Sequence, residues 1–173
     1  MEDTREYAAI AAHYASRVAR RSGVPLIRHI DEGLAILRAL DATEHAARAF
    51  CLHPLVQADA DLAANAHLLA AGALTDDPYV LALVFEYRHI ANATLSSRLS
   101  DGRPLASAGD IPLSPLADVN TMLIADKVQN RKDFIAHHRE THPRAAELDR
   151  YFALWLERLG VTEARYAALI AAW

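Results

Sequence analysis

Cysteine occurs once, at Cys51, which excludes an internal disulfide framework and a cysteine-rich zinc site. Glycine (6) and proline (7) are scarce, so few positions force a turn. Lysine is nearly absent, and the basic charge is carried almost wholly by arginine. The net charge of −4 leaves no basic footprint for a nucleic-acid polymer. No apolar run reaches the roughly 18 residues of a membrane span, so no membrane partner is expected. There is neither an internal repeat nor a low-complexity linker. The N-terminus, Met1-Glu2-Asp3-Thr4-Arg5, is polar and mixed in charge, unlike a secretory signal, and a cytoplasmic location is the default expectation.

What is present favours helix. The chain has 173 residues, 53% of them hydrophobic and 23% charged, a balance that suits one folded domain spanning 1–173. Alanine supplies about a fifth of the residues, which raises helix propensity over strand. Caps and breakers divide the chain into about eight helices. Asp3 or Thr4 caps a helix running to Arg21, before Gly23 and Pro25. A second spans Leu26 to Leu40, and Thr43 caps a third that ends near His53-Pro54. A fourth spans Asp61 to Ala71 and stops at Gly72. Asp77-Pro78 opens a long fifth helix to Arg98, and residues 100–113 form the one long loop. Ser114-Pro115 opens a sixth to Arg139, Pro143 a seventh to Gly160, and Thr162 an eighth to Trp173. No segment reads as a strand. The expectation is an all-α helical bundle with one core.

Several polar residues fall on the apolar faces of these helices, at about 100° per residue. His29 lies between the directions of Ile36 and Leu40, and His53 points with Ala46, Ala49 and Phe50. Arg88 and Asn92 flank the face that carries Val84, Tyr87, Ala91 and Leu95. Asp126 and Asn130 sit among Val119, Met122, Leu123 and Phe134. A buried, unpaired charge costs several kcal/mol by rough estimate, so these groups should meet one another, a metal, a ligand or water. The plainer alternative is a satisfied polar network that fixes helix packing.

These residues carry a resemblance. Arg21-Ser22-Gly23-Val24-Pro25-Leu26-Ile27-Arg28-His29 resembles the x-S-G-x-P-Y-I-x-H part of the R-x-S-G-x-P-Y-I-x-H signature of the HD-domain alarmone hydrolases, the RelA/SpoT homologues. Ala12-His13 resembles their upstream Ala-His, and Phe50-Cys51-Leu52-His53-Pro54-Leu55-Val56 resembles L-L-H-D-V-V. Leu123-Ile124-Ala125-Asp126-Lys127-Val128-Gln129-Asn130-Arg131 resembles K-L-A-D-R-L-H-N-M. The resemblance spans about residues 8–135, and the second half is also similar to small HD-like proteins of phages and prophages. It implies an HD-domain-like fold in which His29, His53 and Asp126 bind one divalent metal (Mn, Fe, Co, Ni or Zn). It also implies a small phosphorylated ligand, such as a nucleotide, held by Arg21, Arg28, Arg88 and Lys127. Asn92 and Asn130 would orient ligands or water.

One departure matters. Pro54 replaces the aspartate of the His-Asp pair, and Gln57-Ala58 replaces the Glu-Asp that acts on the attacking water. Asp59 and Asp61 lie close enough in sequence to substitute. Two readings therefore stand: a metal-dependent phosphohydrolase acting on a nucleotide or related phosphoester, or a degenerate HD-like domain that binds a phosphorylated ligand or a protein without hydrolysis.

Other features carry plainer expectations. Glu86-x-x-His89 has no second copy, so a di-iron site is not expected. His137, His138 and His142 read as a surface cluster near a helix end. Arg20 and Arg38 read as solvated surface, and Cys51 as a small buried hydrophobe. Trp155, Tyr166, Leu169 and Trp173 suit the core or a homodimer contact.

Overall fold

Side-chain caps begin four helices where the sequence places them. In a computed structural model, which describes residues 3–94, 98–99 and 101–171, Thr4 accepts from the Tyr7 amide and Thr43 from the Ala46 amide. Asp77 accepts from the amides of Tyr79 and Val80, and Thr162 from that of Arg165. Each bond satisfies a donor that a helix start leaves orphaned. The helices are α1 (Arg5–Tyr14), α2 (Ile27–Ala39), α3 (Glu44–Val56), α4 (Asp59–Ala70), α5 (Pro78–Asn92), α6 (Ala117–His137), α7 (Ala145–Arg158) and α8 (Glu163–Ile170). A 3-10 turn, Ala108–Asp110, interrupts the long loop. The described residues contain isolated β-bridges and no strand, so the fold class is all-α.

The first helix is shorter than its periodicity suggests. It ends at Tyr14 rather than Arg21, where Ala15 turns to φ 44°. Beyond it lie Arg17, Val18, Arg20 and Arg21, with no apolar face to bury, and the chain instead forms a tight hairpin loop. Ala19 donates to the Val24 carbonyl at 2.7 Å and Leu26 to that of Arg17 at 3.0 Å. Gly23 takes φ +70° at its tip, a conformation that a side chain resists. The arginines of this segment thus sit on a loop and not on a helix. The fifth helix stops at Asn92, and Leu95 lies outside the described residues, as does Trp173. The sixth begins at Ala117, because Ser114 accepts from Leu116 and its own amide donates to Asn120, holding the Ser-Pro turn outside the helix. The seventh likewise starts at Ala145, past Pro143.

Two helices organise the core. α3 packs against α1, α2, α4, α5 and α6, and α6 packs against α2, α3, α5, α7 and α8. α3 is buried nearly all round from Ala46 to Val56, as its run of apolar residues requires. Gly33 of α2 lets the Phe50 ring of α3 close onto the α2 backbone, since a Cβ at that position would overlap the ring. That close approach brings His29 and His53 together.

Candidate metal centre

His29 projects from α2, His53 from α3 and Asp126 from α6. The two Nε2 atoms are 3.2 Å apart. Asp126 Oδ1 lies 3.6 Å from the first and 3.9 Å from the second. Among the described residues this is the one cluster of three potential metal-ligating side chains.

The hydrogen bonds around the cluster determine what those atoms can do. His53 Nδ1 lies 2.6 Å from the Phe50 carbonyl, which can only accept, so Nδ1 carries the proton. Pro54 explains why that carbonyl is available. In a regular helix it would accept from the amide of residue 54, and proline has none. His29 Nδ1 lies 2.6 Å from Gln129 Oε1. The Gln129 amide nitrogen donates to Glu32 at 3.0 Å and to Asp133 at 2.7 Å, so its oxygen must face His29. His29 Nδ1 is therefore a donor too. Both Nε2 atoms are left with lone pairs directed at each other and at a carboxylate oxygen. Three acceptors converge with no hydrogen between them, an arrangement that a cation relieves.

The 3.2 Å spacing of the two Nε2 atoms fits two ligands of one ion, and the carboxylate spacings of 3.6 and 3.9 Å are somewhat wider. Ligand atoms about 2.1 Å from a common centre lie about 3.0 Å apart at right angles and about 3.4 Å apart at the tetrahedral angle. Two imidazoles and one carboxylate suit Mn²⁺, Fe²⁺, Co²⁺, Ni²⁺ or Zn²⁺, and leave coordination positions open. The acceptors on both Nδ1 atoms are the outer partners that orient ligating histidines.

Electrostatics keep His53 and Asp126 in their ligating forms. Burial, then the neighbouring His29, pushes His53 down to about 3 against the pull of Asp126, so its ring is neutral. Burial pushes the Asp126 carboxyl up, but the charge and hydrogen bond of Lys127 outweigh it, and the carboxyl is held down at about 2. Lys127 Nζ lies 2.8 Å from Asp126 Oδ2, and Asn130 donates to Oδ1 at 2.8 Å. Burial opposes the charge of Lys127, but Asp126 and Tyr151 raise its pKa well above the usual lysine range. The ammonium also lies 4.9 Å from the Trp155 ring centroid, a cation–π contact. The Tyr87 hydroxyl is buried beside Asp126, and burial together with that carboxylate keeps it protonated.

A cavity of about 570 Å³ opens above the cluster. Asp126, Lys127 and Asn130 contribute to its lining, and Phe134, Tyr151 and Phe152 form an aromatic wall. Arg21, on the hairpin loop, lines it as well. Pro54 and Gln57 also line it, where the resembled family carries acids.

Three residues expected at this site are engaged elsewhere. Arg88 donates to the carbonyls of Val56 and Gln57 and pairs with Asp59, covering the orphaned carbonyls at the end of α3. Asn92 donates to the same Gln57 carbonyl at 2.9 Å. Arg28 pairs with Glu32 at 2.9 Å and is largely exposed. None of the three lines the cavity over the cluster. Lys127 lines it, but its charge is matched by Asp126. Asp59 is committed to Arg88, and Asp61 lines a neighbouring cavity with His13 and Asn92.

Other readings are refined. Glu86 accepts from Ser114 at 2.8 Å, and His89 is exposed. Arg131 pairs with Glu163 at 2.8 Å. Cys51 is fully buried, which raises its thiol to about 12. His138 and His142, read as surface histidines, line the cavity. Gln129 carries no signal in a single sequence, since its role depends on an amide orientation set by α2 and α6 together.

No known protein family matches the chain, and neither a curated protein nor a solved structure matches it.

Proposed function

We propose that this chain is an HD-type, divalent-metal-dependent phosphohydrolase that acts on a nucleotide or a related phosphoester. The observation that supports this reading is the convergence of two imidazole lone pairs and a carboxylate oxygen at 3.2–3.9 Å, with both Nδ1 protons engaged on outer acceptors. His29, His53 and Asp126 hold the ion. Bound there, it lowers the pKa of a coordinated water and neutralises charge on a phosphate oxygen. Asn130 and Lys127 fix the Asp126 carboxylate from two sides. Gln129 and the Phe50 carbonyl hold the two rings in the tautomer that ligates. The aromatic wall gives the non-phosphate part of the ligand an apolar surface.

A second reading follows from Pro54 and Gln57. No carboxylate on α3 faces the cavity, so the chain lacks the acid that would act on the attacking water in the resembled family. In that reading the domain holds a phosphorylated ligand without cleaving it.

The test is elemental analysis of protein purified without a histidine tag, repeated on His53→Ala, with a phosphoester hydrolysis screen. About one equivalent of Mn, Fe, Co, Ni or Zn, lost in the variant, supports the metal site. Hydrolysis that needs the ion supports the enzyme, and stoichiometric metal with no hydrolysis favours the second reading. No metal after loading with Mn²⁺ overturns the hydrolase reading and leaves the second. It would mean that a proton on one Nε2 relieves the cluster.

A further inference from the structure

Three chain segments that are distant in sequence meet at the same cavity: the 15–26 hairpin loop, the end of α6, and the connection from α6 to α7. They contribute Arg21, His138 and His142. The arginine side chain has neither a hydrogen bond nor an ion pair among the described residues, although it lies near other positive groups. Partial burial and then the charges of Arg21, Arg144 and His138 lower the basicity of His142, which places those three groups within electrostatic reach of His142. Arg144 is neutralised by Glu147, at 2.7 and 2.8 Å. The other three have no such partner. The acids that line the cavity are Asp126 and Asp133. The first is matched by Lys127, and the second by Lys132 and the Gln129 amide.

His142 Nδ1 accepts from the Arg144 amide at 3.1 Å, so the neutral ring carries its proton on Nε2. The three side chains thus supply a guanidinium fork and imidazole donors, and no carboxylate competes for them. This is the chemistry that recognises a tetrahedral oxyanion.

We propose that Arg21, His138 and His142 form an anion-binding site for a phosphate group, separate from the His29–His53–Asp126 cluster. The site deepens the phosphoester reading, yet its occupancy does not require the metal. Phosphate chemistry reaches it from two sources, as inorganic phosphate or as the phosphate of a nucleotide. The aromatic wall beside it favours the nucleotide.

Isothermal titration of chelator-treated protein with inorganic phosphate and with AMP tests this. The variants are Arg21→Gln, the pair His138→Gln/His142→Gln, His53→Gln, and Arg20→Gln as a charge-matched control on the same loop. We expect 1:1 binding, weakened about tenfold in the first two variants, as for loss of a charge-assisted hydrogen bond. Arg20→Gln and His53→Gln should bind as the wild type does. Tighter binding of AMP assigns the site to a nucleotide phosphate, and equal binding assigns it to the free anion. Both outcomes support the site. Absence of binding, or an equal loss in Arg20→Gln, overturns it. A loss confined to His53→Gln also overturns it, by moving the anion to the metal cluster. Failure of the metal reading would appear in the elemental analysis alone, since these titrations contain no metal. All the rim residues lie at the surface or partly exposed, and circular dichroism verifies folding.

Discussion

Replacing Gly33 with alanine puts two physical effects in opposition at a position next to the candidate site. Gly33 lies inside α2, and alanine there gains about 1 kcal/mol of helix propensity. The new methyl would overlap Cε1 and Cζ of Phe50, with Cδ1 at 3.3 Å. Carbon atoms pack best at about 3.5–4.0 Å, so the ring must retreat. Phe50 is 0% exposed and has no slack to retreat into. Overpacking a core costs about 1–3 kcal/mol, and the fully enclosed ring belongs at the upper end. The net expectation is a loss of about 2 kcal/mol, or a melting temperature lower by about 4–8 °C for a chain of this size. The Phe50 ring centroid lies 4.7 Å from that of His53 and 5.7 Å from that of His29, so metal affinity should fall as well. Urea denaturation and competition with a chelator read the two effects. In a Phe50→Leu background the same Gly33→Ala change should be neutral or stabilising, because only the propensity gain remains. A melting temperature that rises on Gly33→Ala in the wild-type background would falsify the packing argument.

Three further perturbations probe the site and its surroundings. Pro54→Ala restores an amide that competes with His53 for the Phe50 carbonyl; thermal stability should rise, by at most about 3 kcal/mol, while metal affinity falls, and a gain in both would contradict the role given to Pro54. Lys127→Met leaves the Asp126 carboxylate buried without its cation, and chelator-treated protein should lose about 3–5 kcal/mol in urea denaturation; a loss under about 1 kcal/mol would show that the pair is not needed. Burial alone would raise the Glu6 carboxyl, but Arg48 at 2.8 Å and Thr75 outweigh it, so its pKa lies below the ordinary value. The folded state thus binds fewer protons than the unfolded one in acid. Stability should be full above about pH 4.3, the ordinary glutamate value, and should fall as pH drops below it. Glu6→Gln should flatten that acid limb, and an unchanged limb would assign it to other carboxylates.

Much of the fold was legible from local rules. Thr4, Thr43, Asp77 and Thr162 cap the helices that the sequence suggests, because capping is a bond between residues two or three positions apart. The helix ends were less legible. Ala15 and the Arg-rich stretch after it keep good helix propensity, and only the lack of a surface to pack against sends them into a hairpin loop. Among the site residues, His29, His53 and Asp126 were visible because each is polar on an apolar face, where burial demands a partner. Arg88 and Asn92 obeyed the same logic with a different result. Their partners are the carbonyls at the end of α3, which no side-chain pattern marks in advance.

The division has one physical origin. Helix formation, capping and the sidedness of a helix depend on residues within a few positions of each other, so composition and spacing alone determined an all-α chain with polar groups on its buried faces. Which buried group meets which is a matter of how helices cross, and that depends on contacts such as Gly33 against Phe50, made across the fold. The tertiary structure therefore decided that His29, His53 and Asp126 share one point. It also decided that Gln129 and the Phe50 carbonyl set their tautomers, and that Arg21, His138 and His142 gather at one cavity.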